Sequence, residues 1–249
     1  EDTDCAALGG TVDCDVEVSV LLEEEGQCTD LSAAFEAGRV QCTLERDGRL
    51  ALREGEWPVD LWVAAEVTIA GLEGGVRLTG EAQVTPIKVA PGAQLTVSGV
   101  EIWYGKATGE VTVALGDDYE EQMAAGGGLY CVGDSAVVLD SVSFFNNTTT
   151  GIGGGLYAGG GCVVEGTGLV FEANKASLGG GVALQEAALS LRETQLLENE
   201  GVFSGGGVFL AGAEATLDEV VFVENKAQNG VGLYAWGSQL EHTDGGYQG

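Results

Sequence analysis

The sequence predicts an all-β fold, a right-handed parallel β-helix or solenoid of about seven coils with a short disulfide-rich cap at its N-terminal side. Glycine triplets recur at spacings of 27, 26, 26 and 25 residues, and a short apolar strand follows each one. The chain also holds 42 glycines but only 3 prolines. A period this constant is typical of stacked units that contact mainly their neighbours. The triplets begin at Gly126, Gly153, Gly179, Gly205 and, in the form Gly-Val-Gly, at Gly230.

Two columns of inward residues are predicted from the repeat. Side chains alternate along a strand, so the first and third residues of Leu129-Tyr130-Cys131 point to the same side. The third strand of each coil ends in a Phe-x-x-Asn signature, in which the aromatic ring fills the core and the Asn amide hydrogen-bonds the same amide one coil above and below. The predicted ladder consists of Asn147, Asn174, Asn199 and Asn225, which follow Phe144, Phe171, Leu196 and Phe222.

An aromatic stripe is predicted at the outward position of the first strand. It consists of Tyr130, Tyr157, Phe209 and Tyr234, with Ala183 in the middle coil. Such a stripe can stack against sugar rings or dock a partner. The alternative is that stacked rings only stabilise neighbouring coils, as cross-strand pairs do.

The repeat is interrupted once. From Gly105 to Asn147 is 42 residues, so about 16 residues are inserted, around residues 109–125. This acidic insertion contains four carboxylates that are candidate calcium ligands, because hard cations prefer oxygen donors. The alternative is a solvated charge run, and no other cofactor is expected. The four candidate calcium ligands are Asp117, Asp118, Glu120 and Glu121.

The cysteines indicate disulfides and an oxidising compartment. Four of the six lie in the first 42 residues without a CxxC pair, and the chain has a single histidine, which disfavours zinc. Residues 1–48 are therefore predicted to form a cap, with a short helix at residues 30–38, and residues 49–249 the β-helix. The four N-terminal cysteines are Cys5, Cys14, Cys28 and Cys42. The other two, Cys131 and Cys162, form either a third bridge or two buried thiols.

The charge excludes two classes of partner. A formal net charge of −29, from 39 acidic and 10 basic residues, disfavours nucleic acid and anionic membrane surfaces. No stretch approaches the roughly 20 apolar residues of a transmembrane helix. The sequence thus predicts an exported protein without a transmembrane segment.

The recurrence of GG-x-[Leu/Val] and Phe-x-x-Asn in phase over four coils resembles the repeats of the polymorphic outer-membrane proteins of chlamydiae and, more broadly, right-handed β-helix repeat proteins of bacterial surfaces. The match covers about residues 90 to 235. This resemblance implies a secreted or surface-exposed protein with adhesive or structural duties. No C-terminal segment resembles the membrane barrel of an autotransporter.

These observations predict a non-enzymatic extracellular structural or cell-surface protein. No amphipathic helix follows Trp236 to cover the last coil, so we expect self-association end to end into a fibre or surface layer. The alternative is a carbohydrate-binding adhesin module that uses the aromatic stripe to bind glycans. A polysaccharide lyase or hydrolase is less favoured, because the clear repeats contain few bases and the acidic surface repels polyuronates.

Overall fold

The computed structural model describes residues 21–23, 40–45, 47–52, 54–72, 74–107, 109–114 and 120–248. Within these ranges the protein is all-β, and its strands coil into a parallel β-helix of three long sheets and one short one. Sheet 2 stacks eight parallel strands, which correspond to about seven steps from coil to coil. The predicted fold class is confirmed.

The sheets follow one another around each coil in the order 1, 2, 3, 4. Sheet 1 contains β2 (Val40–Leu44), the second half of β4 (Gly55–Val63), β7 (Ile87–Val89), β12 (Leu129–Val132), β15 (Leu156–Gly159), β19 (Val182–Gln185), β23 (Val208–Ala211) and β27 (Leu233–Trp236). Sheet 2 contains β3 (Gly48–Leu52), β5 (Glu66–Gly71), β8 (Gln94–Ser98), β13 (Ala136–Asp140), β16 (Val163–Thr167), β20 (Ala188–Arg192), β24 (Glu214–Asp218) and β28 (Gln239–Thr243), with β1 (Leu21–Glu23) at its edge.

Sheet 3 contains the first half of β4, β6 (Val76–Thr79), β9 (Glu101–Trp103), β14 (Ser143–Phe145), β17 (Val170–Glu172), β21 (Gln195–Leu197), β25 (Val221–Val223) and β29 (Gly246–Gln248). Sheet 4 contains β18 (Lys175–Leu178), β22 (Glu200–Ser204) and β26 (Lys226–Asn229). The acidic insertion contributes an antiparallel hairpin of β10 (Glu110–Ala114) and β11 (Glu120–Ala124).

The core lies inside the coil and is built from aligned apolar columns. In sheet 3 the Phe144 and Phe171 rings stack with their centroids 4.6 Å apart, and both side chains are fully buried. Phe222 and Tyr247 stack in the same way at 4.8 Å. Each coil therefore buries an aromatic or aliphatic side chain directly against its counterpart in the next coil.

The glycine triplets are explained by three different constraints. The first glycine has a positive φ, such as 70° at Gly153. A Cβ on the second glycine, Gly154, would lie 2.3 Å from the carbonyl oxygen of Gly180 in the next coil. A Cβ on the third, Gly155, would lie 2.9 Å from the Phe171 ring. The coils therefore stack closely at this corner only because all three residues lack side chains.

Two strands precede β3 on the N-terminal side. β2 pairs parallel with β4, and β1 pairs antiparallel with β3. The expected helix at residues 30–38 and the cysteines Cys5, Cys14 and Cys28 lie outside the described residues, as does the side chain of Cys42.

Candidate functional site

The hairpin of β10 and β11 lies against the outer face of sheet 1. Val113 of the hairpin is fully buried, and it packs in a second hydrophobic cluster, separate from the core, with Ile152 and Leu178 from the adjoining corner of the coil. The Gln185 side chain donates a hydrogen bond from Nε2 to the Thr112 carbonyl at 3.1 Å. The insertion therefore covers part of the β-helix surface.

The surface that the hairpin covers includes the aromatic stripe. Strand pairing places Tyr130, Tyr157, Ala183, Phe209 and Tyr234 in one outward column, as the alternation of the repeat predicts. Tyr130 stacks on Tyr157 at 5.8 Å, and Phe209 stacks on Tyr234 at 5.7 Å. Tyr157 and Phe209 are only 3% and 4% exposed and belong to the second cluster, so the middle of the stripe is a buried interface.

Burial also changes the chemistry of these phenols. The pKa of Tyr157 lies well above its usual range, mainly because burial disfavours the phenolate, and to a smaller extent because of Tyr130 and the carboxylate of Glu186. Burial raises the pKa of Tyr130 as well. Both rings therefore stay neutral at ordinary pH and act through packing.

The stripe continues toward the N-terminal side with two residues that the sequence analysis did not assign to it. Trp62 and Lys88 precede Tyr130 in the same column. The Lys88 ammonium pairs with Asp60, and the two side chains are 19% and 13% exposed. Trp62 is 38% exposed. Only an alignment of the irregular early coils with the later ones could have placed them there.

The asparagines of the predicted ladder lie in one fully hydrogen-bonded column. The Nδ2 atoms of Asn147, Asn174 and Asn199 each donate to Oδ1 of the asparagine in the next coil, at 3.0 Å in all three pairs. The Asn147 Oδ1 accepts from the Gly105 backbone N–H at 2.8 Å, and the Asn225 Nδ2 donates to the Leu196 carbonyl at 2.8 Å. These side chains are buried from solvent, and their hydrogen bonds join neighbouring coils.

Cys131 and Cys162 form a disulfide inside the core, where both residues are fully buried. It joins β12 to the residue that precedes β16, the sheet 2 strand of the next coil, with the Cα atoms 6.1 Å apart. Of the two alternatives that the sequence left open, the structure contains the bridge.

Of the four candidate calcium ligands, Glu121 alone has a described side chain. Asp117 and Asp118 lie outside the described residues, as does the side chain of Glu120, and Glu121 is exposed on the hairpin. Elsewhere in the described ranges, no group of three or more His, Cys, Asp or Glu side chains is arranged to hold a metal ion. No helix in those ranges is long and apolar enough to cross a membrane.

A second aromatic group lies on the outer face of sheet 3. Trp103 and Phe145 are neighbours on adjacent strands, with ring centroids 4.6 Å apart, and Tyr104 follows at 5.4 Å from Trp103. Arg77 and Glu101 border it and hydrogen-bond each other at 2.9 Å. This group was not among the predicted sites, although strand alternation places Trp103 outward next to the inward Ile102 and so gives a signal in the sequence.

Comparison with known proteins identifies no family for this chain. No family model matches, and no curated protein matches. Among solved structures, a pectin methylesterase from Yersinia enterocolitica is similar with 10% identity and a TM-score of 0.34, over 88% of this chain and 90% of that one. The A-module of a mannuronan C-5 epimerase from Azotobacter vinelandii has 11% identity and a TM-score of 0.17, over 87% and 90%. Values this low assign no activity.

Proposed function

We propose that the protein is a non-enzymatic structural component of an extracellular or cell-surface assembly, in which the β-helix serves as a rigid rod. The observation that carries the proposal is the uninterrupted column from Asn147 to Asn225, in which each of the first three amides donates to the asparagine of the next coil. Stacked rings and apolar columns also connect each coil to the next along the axis of the β-helix. Repeated polar and aromatic side chains are thus used to hold coil to coil.

An extracellular setting is supported by the buried Cys131–Cys162 bridge, because disulfides persist in oxidising compartments. The strongly negative charge suits a rod that must not aggregate through its long faces. The alternative of an adhesin that binds glycans through the aromatic stripe loses support, because Tyr157 and Phe209 are buried in the cluster that the hairpin completes.

We propose further that the rods associate through the coil formed by β27, β28 and β29. Leu240 and Tyr247 occupy columns that are buried in the preceding coils, yet they are 38% and 58% exposed. The contact proposed is with the same coil of a second copy, through the backbone edges of β28 and β29 that pair with no further described strand.

One residue limits the geometry of that contact. Val231 replaces the middle glycine of the triplet and is 53% exposed. At the corresponding site in the preceding coil, a Cβ on Gly206 would lie 2.2 Å from the Val231 carbonyl oxygen. A coil added in the register of the repeat would meet the Val231 side chain in the same way. This favours pairing along sheets 2 and 3 over simple continuation of the whole coil.

The test is the mass of the purified protein by light scattering, combined with electron microscopy, across salt and calcium concentrations. Because the chains carry like charge, association should strengthen as salt screens them. We expect Leu240→Glu to give a monomer and Val163→Glu, a similarly exposed position in the middle of sheet 2, to behave as wild type. A wild-type protein that stays monomeric throughout would contradict the association.

A further inference from the structure

The sheet 3 aromatic group forms a second prepared surface, distinct from the covered stripe. We define the platform as Trp103, Tyr104 and Phe145 with Arg77 and Glu101 beside them. Trp103 and Phe145 are half-buried side by side, whereas Tyr104 is 49% exposed. No part of the hairpin cluster includes them. The platform is therefore open to solvent. The outward positions of sheet 3 in the later coils hold polar or aliphatic residues instead of aromatic ones.

The polar side chains of the platform are held in place by shared hydrogen bonds. Glu101 Oε2 accepts from the Arg77 Nε and from the Trp103 indole N–H, both at 2.9 Å. The Arg77 guanidinium carbon lies 5.2 Å from the centre of the Trp103 ring, within cation–π range. Arg77 and Glu101 remain 51% and 33% exposed, so both retain polar atoms that can reach a ligand.

Tyr104 is unlike its counterparts in the other coils. It occupies the left-handed turn position before the asparagine column, with φ 48°, where the later coils place Asn146, Ala173, Glu198 and Glu224. A bulky ring is costly in this backbone conformation, and an exposed ring gains little from packing. Because the later coils form the same turn with Asn, Ala or Glu, the stability of the coil gives no reason for an exposed aromatic ring at this position.

From this geometry we infer that the platform is a binding site for a neutral saccharide. A pyranose ring can lay its C–H face on the exposed aromatic surface, while its hydroxyls bond to the donor of Arg77 and the acceptor of Glu101. The positive charge of Arg77 is already balanced by Glu101, and the chain carries a net charge of −29. A polyanionic glycan would be repelled, which leaves an uncharged one. This inference does not depend on whether the rods associate.

The experiment is titration calorimetry of the whole protein with cellohexaose, maltohexaose and N-acetylchitohexaose, with polygalacturonate as the acidic comparison. The test variant is Tyr104→Asn, which places at this turn the residue that Asn146 provides one coil later and so preserves the backbone. The matched control is Glu198→Asn, which makes the same replacement at the same turn position two coils beyond Asn146, away from the platform.

We expect at least one neutral oligosaccharide to bind wild type and Glu198→Asn equally, and its affinity to fall tenfold or more in Tyr104→Asn while the unfolding midpoint is kept. No binding of any of the three neutral sugars at about 10 mM, a range that detects even millimolar dissociation constants, would overturn the inference. Equal affinity in Tyr104→Asn, or binding of polygalacturonate alone, would do the same.

Discussion

The side-chain amide nitrogen of Asn174 donates to the Oδ1 atom of Asn199 at 3.0 Å and to the Phe144 carbonyl, in the coil on its other side, at 2.9 Å. The Asn174 backbone N–H donates to the same Oδ1 atom at 3.1 Å. In turn, the Oδ1 of Asn174 accepts two bonds from Asn147. One side chain therefore links three successive coils, its own and the one on either side.

Replacing Asn174 by Ala should lower the free energy of unfolding by about 3 kcal/mol or more, because several buried groups lose their partners at once. Urea unfolding followed by circular dichroism measures the change. Asn146→Gly, at the exposed left-handed turn beside the ladder, is the control and should be nearly neutral. Equal losses in the two variants would contradict a special role for the ladder.

Gly180→Ala should be at least as damaging, for a steric reason. The added Cβ would lie 2.5 Å from the Gly206 carbonyl oxygen and 2.6 Å from the Glu200 backbone, neither of which can rotate away. We expect a loss of about 3 kcal/mol, in the range of overpacked cores. Gly74→Ala is the control, because nothing lies within 4 Å of its Cβ position. A mild effect at Gly180 would mean that the coils can separate locally.

The fold was predictable because each column repeats a local physical requirement. The glycine triplets, the inward apolar residues and the asparagines recur at one spacing, so the period alone implied stacking. Contacts between like side chains set the register of neighbouring coils, since the structure places Phe144 beside Phe171 and Asn147 beside Asn174.

The covering of the aromatic stripe was not predictable in the same way. An insertion of known length and acidity does not reveal which face it will fold onto, since that depends on long-range contacts such as Gln185 with Thr112. The outward direction of Tyr157 followed from strand alternation, but its 3% exposure did not. The platform around Trp103 was missed because it lies in a coil where the repeat signatures are weak.

Glu219→Gly should raise the stability of the protein. Glu219 has φ 53°, a conformation that costs a side-chain-bearing residue about 1–2 kcal/mol, and the same turn position holds Gly99 and Gly168 in earlier coils. We expect a gain of about 1 kcal/mol in urea unfolding, reduced by the greater freedom of glycine in the unfolded chain. Glu165→Gly, on an exposed strand position of β16, should instead destabilise by about 0.5–1 kcal/mol. A loss at both sites would refute the strain argument.

Removal of the Cys131–Cys162 bridge should destabilise the folded chain by about 3–4 kcal/mol, because a separation of 31 residues leaves a loop of substantial entropy in the unfolded state. The double variant Cys131→Ala with Cys162→Ala removes the bridge while keeping both sites apolar. Denaturant unfolding without reductant compares it with wild type. An unchanged unfolding midpoint would show that the coil stack alone determines stability here.

Alkaline pH should weaken the fold partly through Tyr157. Its folded pKa is raised above the value of about 10 for an unfolded tyrosine, so the unfolded chain loses the phenolic proton first. The stabilising contribution is complete below pH about 10 and is lost as pH rises above it, with a slope of up to about 1.4 kcal/mol per pH unit. We therefore expect wild type to lose about 1 kcal/mol more than Tyr157→Phe between pH 9 and 11 in urea unfolding. Since both proteins keep Tyr130 and every carboxylate, an identical pH dependence would mean that the phenol reaches water under the hairpin.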